Sequence, residues 1–83
     1  MPTVKPKPSL REIVANVLDV SPGEIQSSSS PRDFPQWDSA AHIDIVLSVE
    51  AEYAVSFTPE EMLEALSVGA LEDILRKKGA SLE

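Results

Sequence analysis

Apolar and polar positions follow one another along this chain with the period of helices rather than strands. Leu10, Ile13, Val14, Val17 and Leu18 share one helical face. Ser9 precedes them with Glu12 three residues on, a capping box that predicts a first helix over residues 9–19. Ser21, Pro22 and Glu24 predict a brief helical turn, because proline fits the first helical position, and Ile25 is placed to anchor it to the core. Residues 26–35 hold four consecutive serines and two prolines and read as a long, solvated surface loop. Phe34 and Trp37 are its candidate anchors.

A second helix is expected from Asp38 to Tyr53. Thr58, Pro59 and Glu61 make another capping box with proline at the first position, opening a short third helix that ends near Leu66. Its apolar residues are Met62, Leu63 and Leu66. Ser67 can cap a fourth helix, with Val68, Leu71, Ile74 and Leu75 as its buried stripe. Arg76, Lys77 and Lys78 complement the dipole at its end, and Gly79 terminates it. The expected fold class is all-α: a small four-helix bundle with a long loop between helices 1 and 2 and a short third helix. Residues 1–8 read as a flexible Pro/Lys tail, 9–79 as the folded domain and 80–83 as a C-terminal tail.

Composition narrows the function classes. The chain has 83 residues, enough for one domain with a modest core. It has no cysteine and one histidine, so neither a disulfide framework nor a His/Cys zinc site is available. Asp33, Asp38 and Asp44 lack the spacing of a calcium-binding EF-hand loop, and no metal site is expected. No apolar run approaches a membrane span, and the N-terminus lacks the apolar core of a secretory signal. A cytoplasmic location is the expectation.

Charge adds a direction. Seven basic residues face fourteen acidic ones, and no Lys or Arg lies between Asp33 and Leu75. An acidic field over the middle of the molecule disfavours nucleic acid and anionic lipid and attracts basic protein surfaces. The plainer reading is that the acids keep a small protein soluble.

The second helix is too apolar for one buried face. At about 100° per residue, His42, Ile45, Val46, Val49 and Tyr53 fall together as a core stripe. Ser39, Ala40, Ile43, Asp44, Leu47, Glu50 and Ala51 fall together on another side, mixing apolar residues with acids. An apolar strip rimmed by charge suits partner binding, although Ile43 could equally be core. His42 lies on the core stripe without a nucleophile or carboxylate at partner spacing, which favours a hydrogen-bonded structural role over a general base. A small hydrolase fails for want of a nucleophile–base pair.

Asp38-Ser39 admits two readings. Both residues favour helix starts, so the pair could be a cap alone. The same position suits a covalent phosphate, because first-turn N–H groups and the helix dipole favour an anion.

The run from Phe34 to Tyr53, with Trp37-Asp38-Ser39 at its turn into the helix, resembles the modification site and second helix of acyl carrier proteins. Residues 54–63 resemble that family's next loop and third helix, and Val68 to Leu75 its fourth, so the similarity covers residues 9–78. The resemblance implies a non-enzymatic carrier, with 4′-phosphopantetheine attached to Ser39 and Asp38 beside it. It implies that acyl intermediates of a fatty-acid, polyketide or related specialised pathway ride on the arm as thioesters. Ala40, Ile43, Asp44, Leu47 and Glu50 would form the docking surface. The implied partners are a phosphopantetheinyl transferase and acyl-loading and acyl-transferring enzymes with basic surfaces, and the carrier is expected to be a monomer.

Two departures from the family pattern set this chain apart. The family usually places leucine after the serine, where this chain has Ala40, and an acid where it has Ala51. The Gly-Gly-His-Ser signature of peptidyl carriers is absent. Trp37-Asp38-Ser39 looks more like freestanding carriers of specialised pathways than those of primary fatty-acid synthesis. The competing class is an unmodified acidic helical adaptor that docks on a basic partner, with Ser39 acting only as a cap.

Overall fold

The computed structural model describes residues 9–80, so the Pro/Lys tail assigned to residues 1–8 and the terminal positions 81–83 lie outside the described residues. Four α-helices and one 3-10 turn occur: α1 (Leu10–Leu18), the turn Pro22–Glu24, α2 (Ser39–Tyr53), α3 (Pro59–Glu64) and α4 (Val68–Lys77). No strand is present among the described residues.

The helix starts form where the capping signals stand. Ser9 Oγ accepts from the Glu12 N–H and Glu12 Oε1 from the Ser9 N–H, the reciprocal pair that satisfies two free donors. Thr58 and Glu61 repeat the arrangement at α3. Three helix ends rest on left-handed residues, Asp19 after α1, Ala54 after α2 and Gly79 after α4. At α4, Gly79 has φ 80, its N–H donates to the Arg76 carbonyl and the Ala80 N–H to that of Leu75, a Schellman closure. Asp19 (φ 59) closes α1 in the same way, with its N–H on Asn16 and that of Val20 on Ala15.

α1 is the hub, packing on α2, on the 3-10 turn and on α4. Leu10, Ile13, Val14 and Leu18 meet Ile45, Val46 and Val49 of α2 and Val68, Leu71, Ile74 and Leu75 of α4 in one core, completed by Ile25, Trp37, Phe57 and Ala65. α3 stands apart from this pattern: none of its six residues is fully buried. It also ends at Glu64 rather than near Leu66, because the Leu66 N–H turns back to the Glu64 carbonyl.

The serine-rich loop lies on the surface, most of its residues exposed, and it is also tied to the body of the protein. Ser29 is buried, its Oγ accepting from the Gln26 N–H. Its carbonyl accepts from the Val68 N–H, and the Ser27 carbonyl accepts from the Gly69 N–H at 2.7 Å. Ser67 Oγ takes the Ala70 N–H. The first three free donors of α4 are thereby satisfied, two of them by the loop's own backbone. Arg11 reinforces the attachment, donating to the Ile25 carbonyl and to Ser27 Oγ. Gln36 Nε2 donates to the Leu18 carbonyl, and Phe34 and Trp37 pack into the core as anchors. A loop held at both ends delivers its final residues to a fixed place, and that place is the start of α2.

Candidate functional site

Asp38 is the N-cap of α2: its Oδ1 accepts from the Ala41 N–H at 2.9 Å, and its carbonyl from the His42 N–H at 2.8 Å. Ser39 is therefore the first helical residue, and the capping duty falls on its neighbour. Ser39 is exposed. Its Oγ makes no hydrogen bond, and neither do the N–H groups of Ser39 and Ala40, among the described residues. An exposed hydroxyl beside two free first-turn donors is a geometry that accepts a phosphodiester: the oxygen is reachable, and the N–H groups and helix dipole favour the negative charge.

A cleft of about 600 Å³ opens beside that hydroxyl, lined by the turn into α2, by α2 itself and by α3. Trp37, Ile43, Met62, Leu63 and Leu66 make most of its wall, with Asp38 and Ser39 at one side. Ile43, left open between surface and core by its periodicity, is 47% exposed, and Leu63 is 73% exposed. Such apolar surface next to the candidate attachment point can shelter an apolar group.

One polar chain runs along the wall of the cleft. Buried Trp37 donates its indole N–H to His42 Nδ1 at 3.1 Å, and His42 Nε2 lies 2.8 Å from the Met62 carbonyl. An indole only donates and a carbonyl only accepts, so the two bonds require the neutral tautomer with its proton on Nε2. His42 lies half-buried, with both ring nitrogens engaged in the structure and none left for chemistry.

The outer face of α2 divides its residues. Ala40, Ile43, Asp44 and Leu47 are exposed. Glu50 is half-buried, and its carboxylate accepts from the Phe57 N–H at 2.7 Å, bracing the loop between α2 and α3. Among the described residues there is no cluster of His, Cys, Asp and Glu side chains able to hold a metal ion, and no helix is long and apolar enough to cross a membrane.

Outside the cleft lining, Lys78 Nζ pairs with Glu61 Oε1 at 2.8 Å and lies 5.6 Å from the centre of the Phe57 ring, joining the end of α4 to α3. The hydrogen bond from Lys78, and then that from the Thr58 N–H, hold the Glu61 carboxyl below its ordinary value. Sequence reasoning missed Met62, Leu63 and Leu66 as cleft wall and the Trp37–His42 pair. Leu63 and Leu66, three residues apart behind a capping box, carried the available signal, since a one-turn helix has no second face on which to bury them.

The family comparisons agree with this geometry. A protein-family model described as "Phosphopantetheine attachment site" matches residues 8–75. Among solved structures, the solution structure of holo acyl carrier protein from Geobacter metallireducens superposes with a TM-score of 0.74 at 30% identity, covering 86% of this chain and 85% of that one. No curated protein matches the chain. With the family match spanning most of the sequence and the fold shared over nearly its whole length, the chain belongs to the acyl carrier protein family of non-catalytic, phosphopantetheine-bearing carriers.

Proposed function

We propose that the protein carries acyl intermediates on a 4′-phosphopantetheine arm attached through Ser39 and presents them to the enzymes of a fatty-acid, polyketide or related specialised pathway. The observation that supports this most strongly is the division of labour at the start of α2: Asp38 caps the helix and leaves the exposed Ser39 hydroxyl without a partner. A serine needed only as a cap would occupy Asp38's position. When attached, the group supplies a thiol at the end of a flexible arm, and tethering raises the effective concentration of the cargo at each partner enzyme.

The chain's own residues do the rest. The Ser39 and Ala40 N–H groups and the dipole of α2 stabilise the negative charge at the point of attachment. Trp37, Ile43, Met62 and Leu63 offer an apolar wall beside it that favours apolar cargo. Asp44 stands exposed among Ala40, Ile43 and Leu47, an acid within an apolar strip. Partners with basic docking surfaces, the phosphopantetheinyl transferase among them, fit that face, and the charge acts mainly on encounter rate and on rejection of wrong partners. The protein works as a monomer in the cytoplasm in this reading.

The test is acyl loading. Incubation with a labelled octanoyl-coenzyme A and a phosphopantetheinyl transferase should label the wild type with a group that hydroxylamine removes, and leave Ser39→Ala unlabelled. Equal labelling of Ser39→Ala would refute the assignment of Ser39.

A further inference from the structure

α3 is weakly held by apolar packing. It has six residues, none fully buried, and makes none of the main helix–helix interfaces. Among the described residues, two polar contacts attach it to the body: Glu61 to Lys78, and the Met62 carbonyl to His42. The second has a particular geometry. The Met62 carbonyl would be satisfied within the helix by the N–H four residues on, but that donor, Leu66, turns to Glu64 instead. His42 Nε2 takes its place at 2.8 Å. On the other side of the same ring, the buried indole of Trp37 has one donor and finds one acceptor, His42 Nδ1. A donor-only group and an acceptor-only group are therefore bridged by a ring that accepts at one nitrogen and donates at the other. All three residues line the cleft, so the bridge links the turn preceding Ser39 to α3 within its wall.

We propose that His42 is a positioning residue that ties α3 to Trp37 and so sets the width of the cleft beside Ser39, and with it how well that cleft shelters acyl cargo. The inference rests on Ser39 bearing the arm, but its structural half concerns only this chain's own residues. His42→Phe fills the space with a ring of similar size and removes both bonds. Trp37→Phe removes the indole donor and leaves the imidazole free to keep its bond to Met62. His42 thus controls α3 directly, and Trp37 controls it through His42.

The experiment has two arms. In the unmodified protein, amide exchange of α1, α3 and α4 and the nitrogen NMR shifts of the His42 ring are recorded for wild type, His42→Phe and Trp37→Phe. We expect an acceptor Nδ1 and a protonated Nε2 in wild type. We also expect α3 and the α3–α4 turn to exchange about five- to tenfold faster in His42→Phe, the effect of one lost hydrogen bond, with α1 and α4 unchanged and Trp37→Phe intermediate. Uniformly faster exchange in every helix, or unchanged α3 exchange in a folded His42→Phe, overturns the tie. Should His42→Phe fail to fold, Trp37→Phe and the wild-type ring shifts decide: a protonated Nδ1, or no change in α3, overturns it.

In the second arm, proteins carrying acetyl or octanoyl groups are cleaved by hydroxylamine. A several-fold faster loss of octanoyl from His42→Phe, with acetyl loss unchanged, is expected. Equal octanoyl loss from wild type and His42→Phe sinks the sheltering role while leaving Ser39 modification intact, because the mass of the loaded protein reports that modification separately.

Discussion

The Gly69 N–H donates to the Ser27 carbonyl at 2.7 Å, and a Cβ on Gly69 would stand 3.1 Å from that same oxygen. Glycine at this place lets the serine-rich loop lie directly on the first turn of α4. Because that loop also delivers Trp37, Asp38 and Ser39, the contact positions the start of α2 from across the molecule. Gly69→Val should destabilise the fold by about 1–3 kcal/mol through overpacking. Gly69→Ala should cost less, since alanine recovers up to about 1 kcal/mol of helix propensity. Urea denaturation of both variants checks the order, and a Gly69→Val protein as stable as wild type would show that the loop gives way freely.

Ala54 closes α2 with φ 53, a left-handed conformation in which its Cβ is strained. Ala54→Gly should stabilise the protein by roughly 0.5–1 kcal/mol, the relief of strain less the added freedom of glycine in the unfolded chain. A rise in the urea midpoint without a change in slope is the expected record. A fall would mean that the strain is absorbed elsewhere.

Much of this architecture is legible in the residues, and the reason is locality. Ser9 with Glu12, Thr58 with Glu61, and Ser67 mark helix starts because each cap is made within three or four positions. The docking of the serine loop escapes such reading because its bonds come from the backbone carbonyls of Ser27 and Ser29, a group every residue carries. The bridge from Trp37 through His42 to Met62 escapes it too: placing an imidazole on a core stripe says nothing of which atoms its two nitrogens meet. In the sequence Ser39 beside Asp38 reads as either cap or attachment point, and the capping bond falls to Asp38 in the fold.

Asp44 and Glu50 share a helix but differ in what they touch. Asp44 is exposed, so Asp44→Lys should leave stability within about 0.5 kcal/mol of wild type while slowing transfer of phosphopantetheine by about tenfold at low salt. Glu50 accepts from the Phe57 N–H, so Glu50→Ala should cost about 1.5–3 kcal/mol, the range for a hydrogen bond to a charged group. Thermal unfolding and transferase kinetics together separate the two. A Glu50→Ala protein of unchanged stability would return Glu50 to the docking face alone.

Lys78 and the Thr58 N–H hold the Glu61 carboxyl below its ordinary value of 4.5. A group whose folded value is depressed contributes its stability above the unfolded value and loses it as pH falls through the folded one. The link between α3 and α4 should therefore be intact at neutral pH and weaken below about 4.5. Glu61→Gln should flatten that part of the acid unfolding curve and leave the region above pH 6 unaltered in shape. An identical acid limb in the variant would assign the loss to other carboxylates.

The most direct test of the carrier reading is intact mass followed by fragmentation of the wild type and Ser39→Ala after treatment with coenzyme A and a broad-specificity phosphopantetheinyl transferase. The account predicts one added phosphopantetheine on the wild type, localised to Ser39, and none on the variant. A folded, initially unmodified wild type that gains nothing from several transferases, or gains the group at another serine, would contradict it.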